Sequence, residues 1–303
     1  MRFNVGLTLH TTVAEFDRLL SDYGSVIASV YFSLPLGAQF QTRKNIARQF
    51  QSKKNVTLFW ELLECIRSHG VKLEALFNAY HLTDADICLA AETLDTHGVT
   101  IDDVALLDEY YESVRRCFPK QNKIFSYNNG IRTQQEFKRG NQANEYDYFV
   151  LGSSCIRNAD LFQYVHGVGK KTILLINNAC SFNCGWCKSD TCAQTFENNL
   201  LEHDVEYLYA LQSIFPCELL DGVIDTSHVD VYKISNRTSD VHFLRNCLES
   251  YTSGEVRRFV KEDKNNFAMW GRMGSFWKLF KRMDLERIIA YKQEILGQKL
   301  IVK

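Results

Sequence analysis

Short apolar runs rich in Val, Ile, Phe and Tyr alternate along the chain with longer stretches whose apolar residues recur every three or four positions. The short runs are typical of buried strands, and the longer stretches are typical of amphipathic helices. The pattern predicts strands at Phe3–Leu9, Val26–Phe32, Val71–Phe77, Val99–Leu107, Lys123–Tyr127, Tyr148–Leu151, Thr172–Ile176 and Val229–Ile234.

A helix is predicted after each strand. The segments are Thr12–Tyr23, Val56–His69, Thr83–Thr96, Glu109–Phe118, Thr133–Arg139, Ala159–Val165, Glu197–Ile214 and Asp240–Ser250. Strands that alternate with helices imply parallel β-α-β units. Eight such units over roughly 250 residues predict an α/β fold of the (β/α)8 TIM-barrel type. A doubly wound open sheet is the alternative, but it would need a Gly-rich phosphate loop after the first strand, and VGLTLHTT has none.

The chain divides by composition into two parts. Its 303 residues are 46% hydrophobic, which is enough for a large core. Residues 1–253 are predicted to form one barrel domain, and residues 254–303 a C-terminal extension rich in Lys, Arg, Trp and Phe. The extension, with a final amphipathic helix at Leu285–Leu296, either packs against the barrel or docks a protein partner. The partner surface would lie around Trp270, Phe276, Trp277 and Phe280.

Charge and hydropathy argue against several classes of protein but leave room for a local basic patch. The net charge is −1, so the chain has no basic excess of the kind that a dedicated nucleic-acid surface requires. No apolar stretch is long enough for a transmembrane helix. The N-terminal segment has too short an apolar run for a signal peptide. We therefore expect a cytoplasmic protein whose cysteines serve as metal ligands or redox groups rather than disulfides.

Four of the ten cysteines lie within thirteen positions, directly after the seventh predicted strand. The spacing is Cys180-x3-Cys184-x2-Cys187-x4-Cys192. Soft thiolates select zinc, copper(I) or iron–sulfur clusters. Zinc sites usually combine two C-x2-C pairs across a long loop, whereas one short loop with four thiolates favours a [4Fe–4S] cluster. Zinc and ordinary buried thiols are the alternatives. Burial is the preferred interpretation for the cysteines on predicted helices, Cys65, Cys88, Cys117 and Cys247.

Polar residues that follow the predicted strands are candidates for the active site, because the loops at the carboxyl ends of barrel strands build it. They are Arg43, Asn78, Asn128, Asn129, Ser154, Asn177, Lys233 and Arg237. The asparagines have a turn or cap role as their alternative. Arg237 is suited to a carboxylate or phosphate, with an ion pair to Asp240 as its alternative. His10 and His81 also follow strands and are interpreted as surface residues.

The first three loop cysteines, with Trp186 before the last of them, form a C-x3-C-x2-C motif. This motif resembles the cluster motif of radical SAM enzymes, in which three cysteines bind three irons and the fourth iron binds S-adenosylmethionine. Those enzymes carry the motif after the first barrel strand, whereas here one predicted strand follows it. S-adenosylmethionine is therefore the less favoured cofactor.

A second resemblance, to the peptidase U32 family, covers the chain from Tyr148 to Tyr251. The segments YDYFVLGSSCIRNADLFQYV and KKTILLINNACSFNC are similar to the family's strand, short helix and strand that ends in an Asn-containing loop with a cluster cysteine. The segment HVDVYKISNRTSDVHFLRNCLESY resembles its D-x-x-K-I-x-x-R strand and the following helix. The matching residues there are Asp230, Lys233, Ile234, Arg237 and Tyr251.

The U32 resemblance implies a barrel that holds an oxygen-sensitive [4Fe–4S] cluster on four cysteines. The family includes collagenase-like peptidases and proteins that act in RNA hydroxylation and in oxygen-independent ubiquinone hydroxylation. The later cluster cysteines of those members are usually spread further apart than they are here. Cys180, Cys184 and Cys187 are then the first three ligands, Cys192 is the favoured fourth, and Cys155 and Cys217 are the alternatives.

The sequence contains neither an H-E-x-x-H zinc motif nor a G-x-S-x-G elbow, so we favour redox chemistry over proteolysis. The leading hypothesis is a U32-like iron–sulfur oxidoreductase of the oxygen-independent hydroxylation class, with Arg43, Asn78, Asn128, Lys233 and Arg237 around its substrate. The alternatives are a radical SAM-like modifying enzyme, a U32-type peptidase, and a non-enzymatic partner subunit with a structural cluster. The substrate stays open among RNA, peptide, quinone and small metabolite.

Overall fold

Eight parallel strands close into a barrel in a computed structural model that describes residues 1–42, 44–131, 133–151, 159–176, 225–234 and 240–253. Each strand pairs in parallel with the next along the chain, and the last pairs with the first. The (β/α)8 prediction is confirmed, and closure excludes the open-sheet alternative. The strands are β1 (Phe3–Gly6), β2 (Ile27–Phe32), β3 (Lys72–Phe77), β4 (Asp103–Leu106), β5 (Asn122–Phe125), β6 (Tyr148–Leu151), β7 (Lys171–Leu175) and β8 (Val231–Ile234).

Helices follow the strands, mostly within a few residues of the predicted bounds. They are α1 (Val13–Tyr23), α2 (Lys44–Gln49), α3 (Lys53–Ser68), α4 (Asp84–Thr96), α5 (Tyr111–Cys117), α6 (Gln134–Ala143), α7 (Ala159–Gly167) and α8 (Val241–Ser253). The short α2 was not predicted. The predicted helix at Glu197–Ile214 and the extension at residues 254–303 lie outside the described residues. No helix within the described ranges is both long and apolar enough to cross a membrane.

Three helices begin with the same capping box, in which a threonine and an acidic residue three positions later satisfy each other's backbone N–H groups. In α1 the Thr12 backbone N–H donates to the Glu15 carboxylate at 2.8 Å, and the Glu15 N–H donates to Thr12 Oγ1 at 3.2 Å. Thr83 with Asp86 opens α4, and Thr133 with Glu136 opens α6, in the same way. The spacing T-x-x-E/D thus marks where the chain turns back after a strand.

Alternate strand residues face two separate cores. On β1, Phe3 and Val5 pack towards the helices, and Asn4 between them faces the inside of the barrel. The core between strands and helices contains most of the large aromatic residues. A smaller apolar cluster lies inside the barrel and consists of Tyr31, Leu76, Ala105, Ile124, Val150 and Ile173.

Three strands, β4, β6 and β8, are each preceded by an aspartate that is hydrogen-bonded to the preceding strand at the amino end of the barrel. The Asp102 N–H donates to the Leu73 carbonyl at 2.9 Å, and the Leu73 N–H donates back to the Asp102 carboxylate at 2.9 Å. The same reciprocal pair joins Asp147 to Lys123 and Asp230 to Thr172. Asp230, one of the residues that carry the U32 resemblance, therefore belongs to this structural device.

A glycine lets α6 approach the barrel closely. A Cβ atom at Gly140 would lie 2.9 Å from Cε2 of the Phe125 ring. That ring has little freedom to move, since it stacks on Phe149 at 5.3 Å between centroids and meets Tyr146 edge-on at 5.0 Å. The close helix–strand contact therefore depends on the missing side chain.

Gly140→Ala should lower the free energy of unfolding by about 1–3 kcal/mol, because overpacking against Phe125 outweighs the better helix propensity of alanine. Gly167→Ala in α7 is the matched control, since a Cβ there meets nothing within 4 Å. The control should be neutral or stabilise the protein by up to about 1 kcal/mol. Urea unfolding measures both variants, and equal effects would contradict the close approach of α6.

Candidate functional site

The cysteine loop and several other predicted site residues lie outside the described residues, so their roles stay predictions. These residues are Arg43, Ser154, Cys155, Asn177, Cys180, Cys184, Cys187, Cys192, Cys217 and Arg237. The two strands that flank the cysteine segment, β7 before it and β8 after it, are both described and pair with each other. The loop therefore leaves the barrel at the carboxyl end of β7, which is the end that carries active sites in this fold.

A group of polar side chains lines one side of the barrel interior and is called here the polar wall: Asn4, Tyr31, Glu74 and Lys233. Lys233 Nζ lies 2.9 Å from Glu74 Oε1 and 4.0 Å from the centroid of the Tyr31 ring. Asn4 donates its amide to the other oxygen of Glu74. The Tyr31 hydroxyl donates to the Ile234 carbonyl at 2.8 Å. Besides their contact with each other, the ammonium is thus held by the Tyr31 ring and the carboxylate by the Asn4 amide.

Strand register explains why these residues meet. Lys233 is paired with Asn4 across β8 and β1, and Tyr31 with Glu74 across β2 and β3. The four strands are consecutive around the barrel, so the polar wall occupies one sector. The opposite sector, β4 to β7, presents apolar side chains inside, among them Ala105, Ile124, Val150 and Ile173. The middle of the barrel interior is therefore polar on one side and apolar on the other, while Asp103 of β4, hydrogen-bonded to Asn122, is a polar group at the amino end of the second sector.

The buried ion pair in this wall is costly unless both charges are held well. Glu74 has a fully buried side chain, and that of Lys233 is 11% exposed. Desolvation of such a pair offsets much of its Coulomb attraction, so burial alone does not make it stabilising. An ammonium held by a carboxylate and an aromatic face, one residue before the end of β8, offers a fixed positive charge near the mouth of the barrel. We regard it as the strongest candidate for binding or polarising a substrate within the described residues.

Breaking the pair should cost more than removing it. Lys233→Met leaves Glu74 buried without its cation and should lower the free energy of unfolding by about 3–5 kcal/mol. The double variant Lys233→Met with Glu74→Gln should recover most of that loss, because a neutral amide can still accept the Asn4 hydrogen bond. A double-mutant cycle in urea measures the coupling. Additive single effects would show that the pair does not form in solution.

Asp103 is a second buried carboxyl on the inward face, on the strand next to Glu74. Burial raises its pKa to about 6, a hydrogen bond from Asn122 opposes this rise, and the charge of Glu74 adds to it. The Asn122 amide donates to Asp103 Oδ1 at 2.6 Å. The folded protein holds this proton more tightly than the unfolded chain does. The contribution of protonated Asp103 to the free energy of unfolding is therefore complete below the unfolded pKa and is lost as the pH rises through the folded pKa.

Asp103→Asn should therefore change the pH dependence of unfolding. The variant keeps an acceptor for Asn122 but carries no charge, so it should be more stable than wild type at pH 7, by about 1–3 kcal/mol. The two proteins should converge below about pH 4, where Asp103 is protonated in both the folded and unfolded states. Denaturant unfolding between pH 4 and 7.5 tests this, and parallel profiles would contradict a raised pKa.

Two predicted asparagines meet at the mouth of the barrel. The Asn78 side-chain amide donates to Ser126 Oγ at 3.3 Å, and the Asn128 side-chain amide donates to the backbone carbonyl of Asn78 at 3.0 Å. Ser126 is buried at the end of β5. Asn78 Oδ1 is buried and has no hydrogen-bond partner within the described residues. This oxygen is an acceptor that a substrate donor could use, while the role of both asparagines in a site stays a prediction.

Asn129 and the two strand-end histidines have other roles. Asn129 accepts from the Asp108 N–H and donates to the Leu106 carbonyl, each at 2.9 Å, so the turn role holds for this residue. His10 and His81 are both exposed, as interpreted from the sequence. His10 lies 2.8 Å from the Gln49 amide.

Sequence reasoning missed most of the polar wall. Its members Asn4, Tyr31 and Glu74 lie inside strands and not after them, so a search of strand ends did not reach them, and the same holds for Asp103 outside the wall. Glu74 in KLEALF was the available signal, because a carboxylate amid apolar strand residues has to find a partner when it is buried.

Known proteins resemble this chain only weakly. No protein-family model and no curated protein matches the chain. A solved structure of a U32 peptidase is similar at a TM-score of 0.47 and 12% identity, covering 79% of this chain and 94% of that one. A mandelate racemase/muconate lactonizing enzyme from Roseiflexus sp. is similar at 0.39 and 12%, covering 57% and 47%. The carboxyl transferase domain of pyruvate carboxylase from Rhizobium etli is similar at 0.42 and 11%, covering 99% and 48%.

The chain thus spans less than half of the racemase and of the carboxyl transferase domain. These TM-scores are low, so the assignment to (β/α)8 barrels rests on the strand pairing of the chain itself. No functional residue is carried over from any of the three structures.

Proposed function

We propose that the chain is an iron–sulfur enzyme that carries out a redox modification of its substrate at the carboxyl end of the barrel. One observation carries the proposal. The backbone N–H of Ile176, four residues before Cys180, donates to the carbonyl of Lys233 at 3.1 Å. The chain therefore enters the cysteine loop beside the one lysine of the polar wall.

Covalent geometry limits how far the loop can begin from that wall. Consecutive Cα atoms are about 3.8 Å apart, so Cys180 lies within about 15 Å of Ile176. We propose on this basis that the cysteine loop and Lys233 serve the same mouth of the barrel.

The donor set suits a [4Fe–4S] cluster. Cys180, Cys184, Cys187 and Cys192 would hold it, since four thiolates are its usual ligands. A bound cluster supplies one-electron transfer. The ammonium of Lys233, held by Glu74 and the Tyr31 ring, would offset negative charge on the cluster or on an anionic substrate. On the other side of the mouth, Asn78 and Asn128 offer an amide acceptor and donors that orient a polar substrate.

The position of the loop favours the U32-like form of this hypothesis over the radical SAM form. The cysteines follow β7, in a barrel that β8 and β1 close. The radical SAM resemblance implies a cluster after the first strand, with most of the barrel still to come. The U32 resemblance implies oxygen-independent hydroxylation, and we propose this class of reaction for the chain, with an oxygen donor other than O2.

Anaerobically purified wild-type protein should contain about four irons and matching sulfide per chain. Cys184→Ala should lose this iron, because an iron without its thiolate is under-coordinated. Cys88→Ala on α4 is the control and should keep it. Iron and sulfide analysis with electron paramagnetic resonance of the reduced protein gives the readout. Zinc in place of iron in wild type, absent from Cys184→Ala, would overturn the proposal.

The fourth ligand is decided by the same measurement. If Cys192 is the ligand, Cys192→Ala should leave a three-iron or labile cluster, and Cys155→Ala should keep four irons. The opposite pattern moves the ligand to the segment after β6. A full cluster in both variants, with a spectrum that changes on addition of S-adenosylmethionine, would favour the radical SAM form instead.

A further inference from the structure

Three side chains capable of binding a metal meet on the outside of the barrel, between α1 and α3: Asp17, Cys65 and His69. Asp17 Oδ1 lies 2.8 Å from His69 Nε2 and 4.0 Å from Cys65 Sγ. All three ligand atoms lie within 4.8 Å of one another. No other such group of three occurs within the described part of the chain.

The end of α3 fixes the spacing of this group. Cys65 and His69 are four residues apart, so they lie on the same face of the last helical turn. His69 is the C-cap, and Gly70 after it takes the left-handed conformation at φ +69° that ends the helix. The Gly70 N–H donates to the Arg67 carbonyl at 2.9 Å. Two of the three ligands are therefore held in place before a metal binds.

The arrangement is unsuited to nucleophilic catalysis. A catalytic triad places the histidine between the thiol and the carboxylate, whereas here the Asp17 oxygen is the atom closest to both partners. Burial, with a smaller contribution from the Asp17 charge, raises the pKa of the Cys65 thiol. Activated cysteines have a lowered pKa. A cation suits the arrangement better, because all three side chains are metal ligands and their ligand atoms lie within 4.8 Å of one another.

We propose that Asp17, Cys65 and His69 form a Zn²⁺ site, with water as the fourth ligand. A thiolate, an imidazole and a carboxylate are all ordinary zinc ligands. Tetrahedral bonds of the usual lengths place the nitrogen and carboxylate oxygen about 3.4 Å apart and the sulfur and oxygen about 3.6 Å apart. The observed 2.8 and 4.0 Å differ from these values by about half an ångström, which side-chain rotation can supply.

Electrostatics and position indicate what such a site does. The negative end of the α3 dipole, at His69, favours a bound cation. The charges of the carboxylate and the thiolate together neutralise the metal. The site faces the outside of the barrel near the start of β3, away from the mouth, so it would act as a clamp between α1 and α3 and not as a catalytic centre.

The test is a zinc titration of the full-length protein in competition with a chromophoric chelator. Wild type should bind one more zinc than His69→Asn, Cys65→Ala or Asp17→Asn. His97→Asn is the matched control, because His97 caps α4 as His69 caps α3 but has Thr93 four residues before it. This control should keep the wild-type number. Comparison between variants removes any contribution from the cysteine loop, and Cys184→Ala should retain the Asp17–Cys65–His69 site.

A second readout is specific to the sulfur. Zinc should slow the alkylation of Cys65, followed by mass spectrometry of its peptide, in wild type and in His97→Asn. The protection should be lost in His69→Asn, which keeps the thiol and the α1–α3 packing. Equal zinc content in wild type and His69→Asn, or equal alkylation of Cys65 with and without zinc, would overturn the proposal.

Discussion

Pairing between β8 and β1 is the constraint on which the rest of the molecule depends. It aligns Asn4 with Lys233 and Val5 with Ile234, and it turns a row of parallel strands into a closed interior. The ion pair between Lys233 and Glu74 joins residues 159 positions apart, and it forms only when the last strand reaches the first. Contacts of such long range cost loop-closure entropy and form late in folding. The polar wall is thus a product of closure.

Much of this fold could be predicted, because strands buried on both faces appear as continuous apolar runs. All eight predicted strands are present, and the threonine caps marked three helix starts. The ends of strands were less predictable. β1 stops at Gly6 and not at Leu9, although the Leu7 N–H still donates to the Tyr31 carbonyl, because apolar residues continue beyond the ladder. An apolar run shows burial, whereas a strand end depends on where the neighbour's partners stop.

The candidate site could be predicted only in part, for a physical reason. Asn78 and Asn128 could be found because they follow strands, and parallel strands end at one face. Lys233 could also be found, but its partner could not, since nothing local in KLEALF shows that Glu74 lies two strands from β1 and three from β8. Register around the barrel, and not the spacing of residues along the chain, brings the two charges together. The same holds for Asp17, which meets Cys65 and His69 only through the packing of α1 on α3.

Two residues of one sequence motif serve opposite ends of the barrel. Asp230 clamps the start of β8 to β7, as Asp102 and Asp147 clamp two other strand pairs, and Lys233 faces the interior near the end of β8. A match to the D-x-x-K-I-x-x-R motif at Asp230 therefore reflects the barrel fold. Of these two residues, only Lys233 bears on the chemistry. Similarity in this motif is weaker support for a shared reaction than its length suggests.

The cysteine segment lies in the connection between two strands that are paired with each other, residues 176–230, which is the longest interval between successive strands of the barrel. Loop-closure entropy grows slowly with length, so a long insertion there costs the barrel little. Ordering the insertion costs conformational entropy in addition, and backbone hydrogen bonds alone rarely offset that loss. A cofactor bound by four thiolates would crosslink the segment at four points and couple its order to metal binding. The strand pairing of β8 and the polar wall contain none of the predicted ligands, so on the proposed function metal binding would order the loop without being required for barrel closure.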